Sequence, residues 1–179
     1  MRKLFLMLAF VAVALGAKAQ ENAFNIKGGV GFTMLLDDDT VDPKAHWKFG
    51  AGYEFRINNL IGIEPSLLIS NKGFQISDGS YYDKSYNLVY AEVPVTCNFH
   101  FGDHWEVDGG FFGACLLDDN TEGVFGDVRK FDIGTVAAAK YIFSGGLFLG
   151  IDGSVSAMSF QEDFRGRNST FDVIVGFRF

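Results

Sequence analysis

Cysteine, proline and histidine are scarce in this chain of 179 residues, at two, three and three copies. Two cysteines cannot build the multiply bridged scaffold of a small secreted domain. Three scattered histidines show no spacing that suits a metal, and no metal or other cofactor is expected. Three prolines exclude an extended proline-rich linker, and a charged fraction of 21% is too low for a disordered chain. Basic residues are short as well: 15 Lys and Arg stand against 22 acids, a formal net charge of −7. That balance excludes the basic stripe of a nucleic-acid binder. Long apolar runs are missing too. The charge-free run Leu4–Leu15 is about twelve residues, well under the ~20 that a membrane helix requires.

What is present begins with an export signal. Arg2 and Lys3 precede the apolar run, and Ala17-Lys18-Ala19 follows it with the small-x-small pattern of signal peptidase sites. The expected division is a signal peptide at residues 1–19, cleaved between Ala19 and Gln20, and a mature domain at residues 20–179. No cysteine follows the run, so lipoprotein processing is not expected. Losing Arg2, Lys3 and Lys18 takes the net charge from −7 to −10.

The mature chain is rich in Gly (22 residues) and Phe (20 residues), and it alternates. Trp47, Phe49, Ala51, Tyr53 and Phe55 interleave with Lys48, Gly50, Gly52 and Glu54, the period of a strand with two unlike faces. Phe24–Phe32 reads the same way, as do stretches near 60–72, 88–101, 105–117, 131–143, 147–157 and 169–179. One face of these eight strands is uncharged and carries large Phe, Trp, Ile and Leu; the other mixes Gly with charge. A soluble ligand-binding barrel turns its apolar face inward and its charge to water. Here the Gly-rich face carries the charges, and Gly fits where side chains converge inside a narrow barrel. Lys27, Lys48, Lys140 and Arg178 can pair there with Glu54, Glu64, Glu92, Asp108, Asp152 and Asp172. The apolar face is then left for lipid, where every backbone polar group must be paired within the protein. The predicted fold is an all-β, eight-stranded antiparallel up-and-down transmembrane barrel in a bacterial outer membrane.

The connections fit that fold. Short links at 57–59, 102–104 and 144–146 alternate with long ones at about 34–46, 73–87, 118–130 and 158–168, the periplasmic and outer sides of such barrels. Both termini then lie in the periplasm. Phe24, Phe55, Phe99, Phe101, Trp105, Tyr141 and Phe179 gather at the short-link end as an aromatic girdle, and Trp47 and Phe171 mark the other.

Three stretches carry a family resemblance. Ile63-Glu64-Pro65-Ser66-Leu67-Leu68-Ile69-Ser70-Asn71-Lys72-Gly73, Tyr90-Ala91-Glu92-Val93-Pro94-Val95 and Val107-Asp108-Gly109-Gly110-Phe111-Phe112-Gly113 resemble, in order and spacing, the third, fourth and fifth strands of the PorT-like outer-membrane β-barrel family of Bacteroidetes. Ile69 departs from it, since an aromatic is commoner there. The resemblance implies a fold and a location and assigns no activity. The last strand, with Phe171, Phe177 and the terminal Phe179, also resembles the signal read by the barrel-assembly machinery, an expected partner during biogenesis.

Catalytic chemistry is not expected. His46 falls in or beside the first outer loop, His104 in a periplasmic turn, and His100 at an interior position near the same end; no Ser–His pairing is visible. Around the 102–104 turn Phe101 faces Trp105, so Cys97 pairs with Gly109 and Cys115 with Ala91, too far apart for a disulfide. Asp37-Asp38-Asp39 with Asp42, and Asp118-Asp119 with Glu122, lack calcium-loop spacing and read as solvated loop charge. Four long loops, with Tyr81, Tyr82, Tyr86, Phe125 and Phe164, are the surface expected to meet a partner, protein or glycan. Outer-membrane lipid and lipopolysaccharide are expected around the barrel wall. The expected function is a non-enzymatic surface or envelope role with a filled interior. The alternatives are a narrow porin-like channel and a soluble exported binding barrel. N-terminal sequencing of the protein recovered from outer membranes is expected to begin at Gln20, and a start at Met1 would contradict the cleaved signal.

Overall fold

A computed structural model describes residues 22–36, 42–76, 84–120, 129–159 and 166–179. Residues 1–21 and parts of the four long connections, including Asp37–Asp39, Tyr81, Tyr82, Glu122, Phe125 and Phe164, lie outside these. Eight strands follow one another: β1 (Ala23–Leu36), β2 (Lys44–Arg56), β3 (Ile61–Ile76), β4 (Lys84–Phe101), β5 (Trp105–Asp119), β6 (Phe131–Ile142), β7 (Leu147–Ser159) and β8 (Arg167–Arg178). Each pairs antiparallel with the next, and β8 closes on β1, so the sheet has no edge.

The register fixes the dimensions of the barrel. Stepping across the paired residues from Phe55 through Ile63, Cys97, Gly109, Ala137, Gly153, Phe171 and Phe32 ends on Ala45, ten residues from the start on the same strand. A stagger of this size in eight strands tilts them into the roughly 35–45° range of outer-membrane barrels. It also leaves a bore that side chains can fill.

The two faces divide as the alternation requires. Phe49, Leu67 and Phe111 are 62%, 62% and 73% exposed, whereas Glu54, Glu64, Ser70 and Asp172 on the opposite face are 0%. A soluble barrel would show the reverse. At the end where β1 begins and β8 ends, the aromatic girdle is built from contacts such as Phe24–Phe179 (6.0 Å between ring centroids), Trp105–Tyr141 (5.1 Å) and Tyr53–Phe55 (4.8 Å). At the other end Phe32 packs on Phe171 at 5.6 Å.

The short links are tight turns. The Asn58 side chain accepts from the backbone N–H of Leu60 (2.8 Å) and Ile61 (2.9 Å), holding the β2–β3 turn. Gly102 and Gly146 take positive φ (66° and 87°) in the β4–β5 and β6–β7 turns. The long connections are shorter than the sequence suggested. β1 runs to Leu36, β2 starts at Lys44, β3 ends at Ile76, β4 starts at Lys84, and β5 reaches Asp119. Beyond the lipid boundary the outward face no longer has to be apolar, so pairing continues where the apolar alternation stops. A register shift between Val89 and Tyr90 interrupts the β4–β5 pairing in this upper part. Cys97 pairs with Gly109 and Cys115 with Ala91, and both thiols are free, as the turn geometry predicted.

Two adjacent glycines separate the faces experimentally. A Cβ on Gly110 would fall 2.1 Å from the Val95 carbonyl oxygen, whereas one on Gly109 meets nothing within 4 Å. Gly110→Ala is therefore expected to destabilise the barrel by about 1–3 kcal/mol, the usual cost of overpacking, and Gly109→Ala to leave it nearly unchanged. Urea midpoints read from heat-modifiable gel migration distinguish the two; equal midpoints would contradict the close approach.

Candidate functional site: the charge-filled bore

Inward positions on all eight strands converge on the bore, and the described residues place most of the chain's buried charge there. At the turn end lies a cluster centred on two carboxylates. Glu106 accepts from Lys140 (2.8 Å), Arg178 (2.5 Å) and the Asn98 amide (3.1 Å). Glu54 meets His100 Nε2 at 2.6 Å, Arg178 at 3.1 Å and Arg56 Nε at 3.5 Å. Asp108 pairs with Lys140 at 2.5 Å and accepts from Asn98 at 2.9 Å.

A second layer crosses the middle of the bore. Lys27 pairs with Glu64 at 2.6 Å, and Ser66 donates to the same carboxylate at 2.9 Å. Lys48 bridges Asp152 and Asp172, the latter at 2.9 Å, and His46 Nδ1 lies 2.7 Å from Asp172. Nearer the loop end, Lys72 pairs with Glu92 at 2.6 Å while Ser70 donates to that carboxylate at 2.7 Å. Lys72 Nζ also stands 4.4 Å from the Phe112 ring centroid, a cation–π contact. Lys44 donates to the Tyr86 carbonyl at 2.8 Å and to the Asn87 side chain.

The residues expected inside are brought together, and the structure adds others. Glu106, Lys44, Lys72, Asp132 and His46 join the buried set, His100 is buried at its expected interior position, and Arg56 is half-buried beside them. Glu106 was legible: it shares the parity of Asp108 one step nearer the turn. His46 was expected at an outer loop. It is buried inside β2, because β2 begins three residues before the apolar alternation becomes visible at Trp47. Tyr86, expected on an exposed loop, is also buried, on an inward position of a lengthened β4.

Part of the bore is apolar, which the sequence contrast between the two faces had obscured. Leu88, Tyr90, Phe112 and Ala114 form a buried cluster with Leu116 and Val136 against it. This patch caps the charge layers on the β4–β6 side.

The packing leaves little room. A cavity of about 40 Å³ in the middle of the bore, lined by Lys48, Lys72, Glu92 and Lys140 among others, holds a few waters at most. The turn-end mouth opens into a vestibule of about 730 Å³ whose floor includes Arg56, His100 and Arg178. Ligand atoms of Glu54, His100 and Glu106 lie within 4.8 Å of one another, close enough to be tested as a metal site. The donor set does not suit a cation, because Arg178 already contacts both carboxylates and Lys140 contacts Glu106. Among the described residues the side-chain partners of the histidines are Asp172 for His46, Glu54, Glu106 and Arg56 for His100, and the Ile142 carbonyl for His104, none a serine hydroxyl.

Comparison with known proteins gives three results. No curated protein matches the chain. The family model described as outer membrane protein beta-barrel domain matches residues 18–160. Among solved structures, the chain is similar to Neisserial surface protein A, with a TM-score of 0.60 at 8% identity over 91% of this chain and 100% of that one. It is similar to Ail of Yersinia pestis in a phospholipid nanodisc, with a TM-score of 0.55 at 17% identity over 89% and 100%. It is also similar to the outer membrane enzyme PagL, with a TM-score of 0.54 at 9% identity over 86% and 98%. At these identities the likeness shows the fold alone.

Glu106 ties together two cations of the turn end, Lys140 and Arg178. Glu106→Ala is expected to cost about 3–5 kcal/mol, since Lys140 and Arg178 lose a buried partner, while Asp103→Asn in the exposed β4–β5 turn is expected to stay within about 0.5 kcal/mol. Urea unfolding of both variants in the same detergent checks this, and a small effect at Glu106 would mean that the cluster is not what holds the turn end.

Proposed function

We propose a function on one premise: the chain belongs to the outer membrane protein beta-barrel domain family, and so is a bacterial outer-membrane barrel. The reading is a non-enzymatic envelope protein that spans the membrane as a filled barrel and presents its four longer connections to the cell exterior. The observation that carries it is the bore, where ion pairs and an apolar patch leave a cavity of only about 40 Å³. A steady solute path needs a continuous water column, and Lys48, Lys140 and Arg178 stand across it in ion pairs.

The finer parts of the reading rest on the sequence. The strand motifs support membership of the PorT-like group, residues 1–19 support export through a cleaved signal, and the alternating Phe171, Phe177 and Phe179 support recognition by the barrel-assembly machinery. The asymmetry of short and long connections supports periplasmic termini. The histidine partners support the absence of hydrolytic chemistry, although the same fold houses the enzyme PagL. A surface role accords with the use of this fold by a Neisserial surface protein and by the attachment invasion locus protein of Yersinia pestis. The partner class expected at the loops is a protein or a glycan.

A narrow channel is the second reading, favoured by the vestibule of about 730 Å³ at the turn end. Planar-bilayer recordings separate the two. The filled-barrel reading expects no steady conductance from the purified protein, and a stable, voltage-independent step would replace it with the channel. Photo-crosslinkers placed at the exposed Ser85 and Lys130 on intact cells are expected to capture an external partner; none captured at either site would count against the surface role.

A further inference from the structure

The lipid-facing wall is not uniform. Across β4 to β7 runs an apolar groove of about 720 Å³. Its floor is made by small outward residues, Gly113 on β5, Thr135 on β6 and Ala157 on β7, and its sides by larger ones such as Phe111 and Ile133. Phe111 is 73% exposed and Ile133 55%, so both stand proud of that floor. A Cβ on Gly113 would meet nothing within 4 Å, so the glycine leaves open space rather than admitting a neighbouring strand.

A second observation concerns charge. Arg167, the first residue of β8, lines the same groove and pairs with Ser159 at the end of β7. It lies four positions beyond Phe171, whose contact with Phe32 marks the upper aromatic boundary. Arg129 and Lys130 directly precede Phe131, the first residue of β6, at the same end of the barrel. An apolar furrow in the hydrocarbon with the cationic Arg167 in its lining matches a ligand with an acyl chain below and a phosphate above. The planar guanidinium of Arg suits such a phosphate.

We propose that this groove is a binding site for one phosphorylated acyl lipid, the lipid A part of lipopolysaccharide, with an acyl chain over Gly113, Thr135 and Ala157 and a phosphate at Arg167. The choice of lipid A rests on the reading that the long connections face the cell exterior, where lipopolysaccharide forms the outer leaflet. A second copy of this chain is a poorer occupant, because a two-fold contact across the groove would bring the two copies of Arg167 towards each other.

The test uses the mature full-length barrel in detergent, titrated with purified lipid A, with dephosphorylated lipid A, or with phosphatidylglycerol, and followed by the thermal midpoint of heat-modifiable migration. Lipid A is expected to raise the midpoint of the wild type. Arg167→Ala is expected to raise the lipid A concentration needed by at least about tenfold. Thr135→Trp, which fills the furrow, is expected to abolish the effect while keeping the lipid-free midpoint. Ala51→Trp, at a separate shallow depression of the lipid face beside Tyr53 and Leu67, is expected to respond as the wild type does. Equal protection of all four proteins would overturn the site. Equal protection by phosphatidylglycerol would overturn the assignment to lipid A, and by dephosphorylated lipid A the role of Arg167. A dimer on native gels that Thr135→Trp disperses would hand the groove to a second copy. The filled-bore reading stands or falls on conductance instead, so the two fail separately.

Discussion

Hydrocarbon offers no partner to a backbone N–H or C=O, and that constraint governs the rest of this molecule. Eight strands satisfy it only by joining the first to the last, and the β1–β8 pairing from Asn25 opposite Arg178 to Leu36 opposite Arg167 does so. Closure at eight strands with a ten-residue stagger makes the bore narrow. A narrow bore in turn dictates what its lining must be. Small residues appear where strands approach, as at Gly31 and Gly50, where a Cβ would fall about 2 Å from a neighbouring carbonyl oxygen. Charged side chains can point inward only because partners stand opposite.

Several of those partners link strands that the sheet itself does not pair. His46 on β2 meets Asp172 on β8, Lys48 on β2 meets Asp152 on β7, and Glu106 on β5 meets Arg178 on β8. Backbone pairing stitches each strand to two neighbours, whereas these ion pairs reach inside the bore to strands two or three places away. A buried ion pair is seldom a large net source of stability, because desolvation offsets its attraction. What this arrangement supplies is specificity: a strand slipped by one residue would send its charges into lipid and its aromatic residues into the bore.

The period of two made the fold readable, because a membrane imposes opposite chemistries on successive residues. The strand order, the places of the three short links and the pairing across the 102–104 turn followed from it, including the partners of Cys97 and Cys115. Legibility failed where lipid no longer enforces that contrast. Lys44, His46, Lys72 and Tyr86 lie on strand ends whose outward neighbours, Ala45, Asn71, Gly73 and Asn87, are small or polar. The inward apolar cluster at Leu88, Tyr90 and Phe112 was hidden for a different reason. Inside a filled barrel an apolar residue is as acceptable as a paired charge, so hydrophobicity alone does not reveal a residue's side there. Which carboxylate meets which cation depends on the stagger, and no single strand encodes that.

The position of Arg178 along the chain has a consequence for assembly. It lies on β8, the last strand of the barrel, and it contacts both Glu54 and Glu106, which are contributed by β2 and β5. During synthesis and threading those two acids arrive long before their guanidinium. Until the last strand docks, the turn end carries buried negative charge with too few cations, and the open barrel is electrostatically incomplete there. Seating β8 removes that imbalance in the same movement that removes the sheet edges, so charge neutrality and hydrogen-bond closure are reached together.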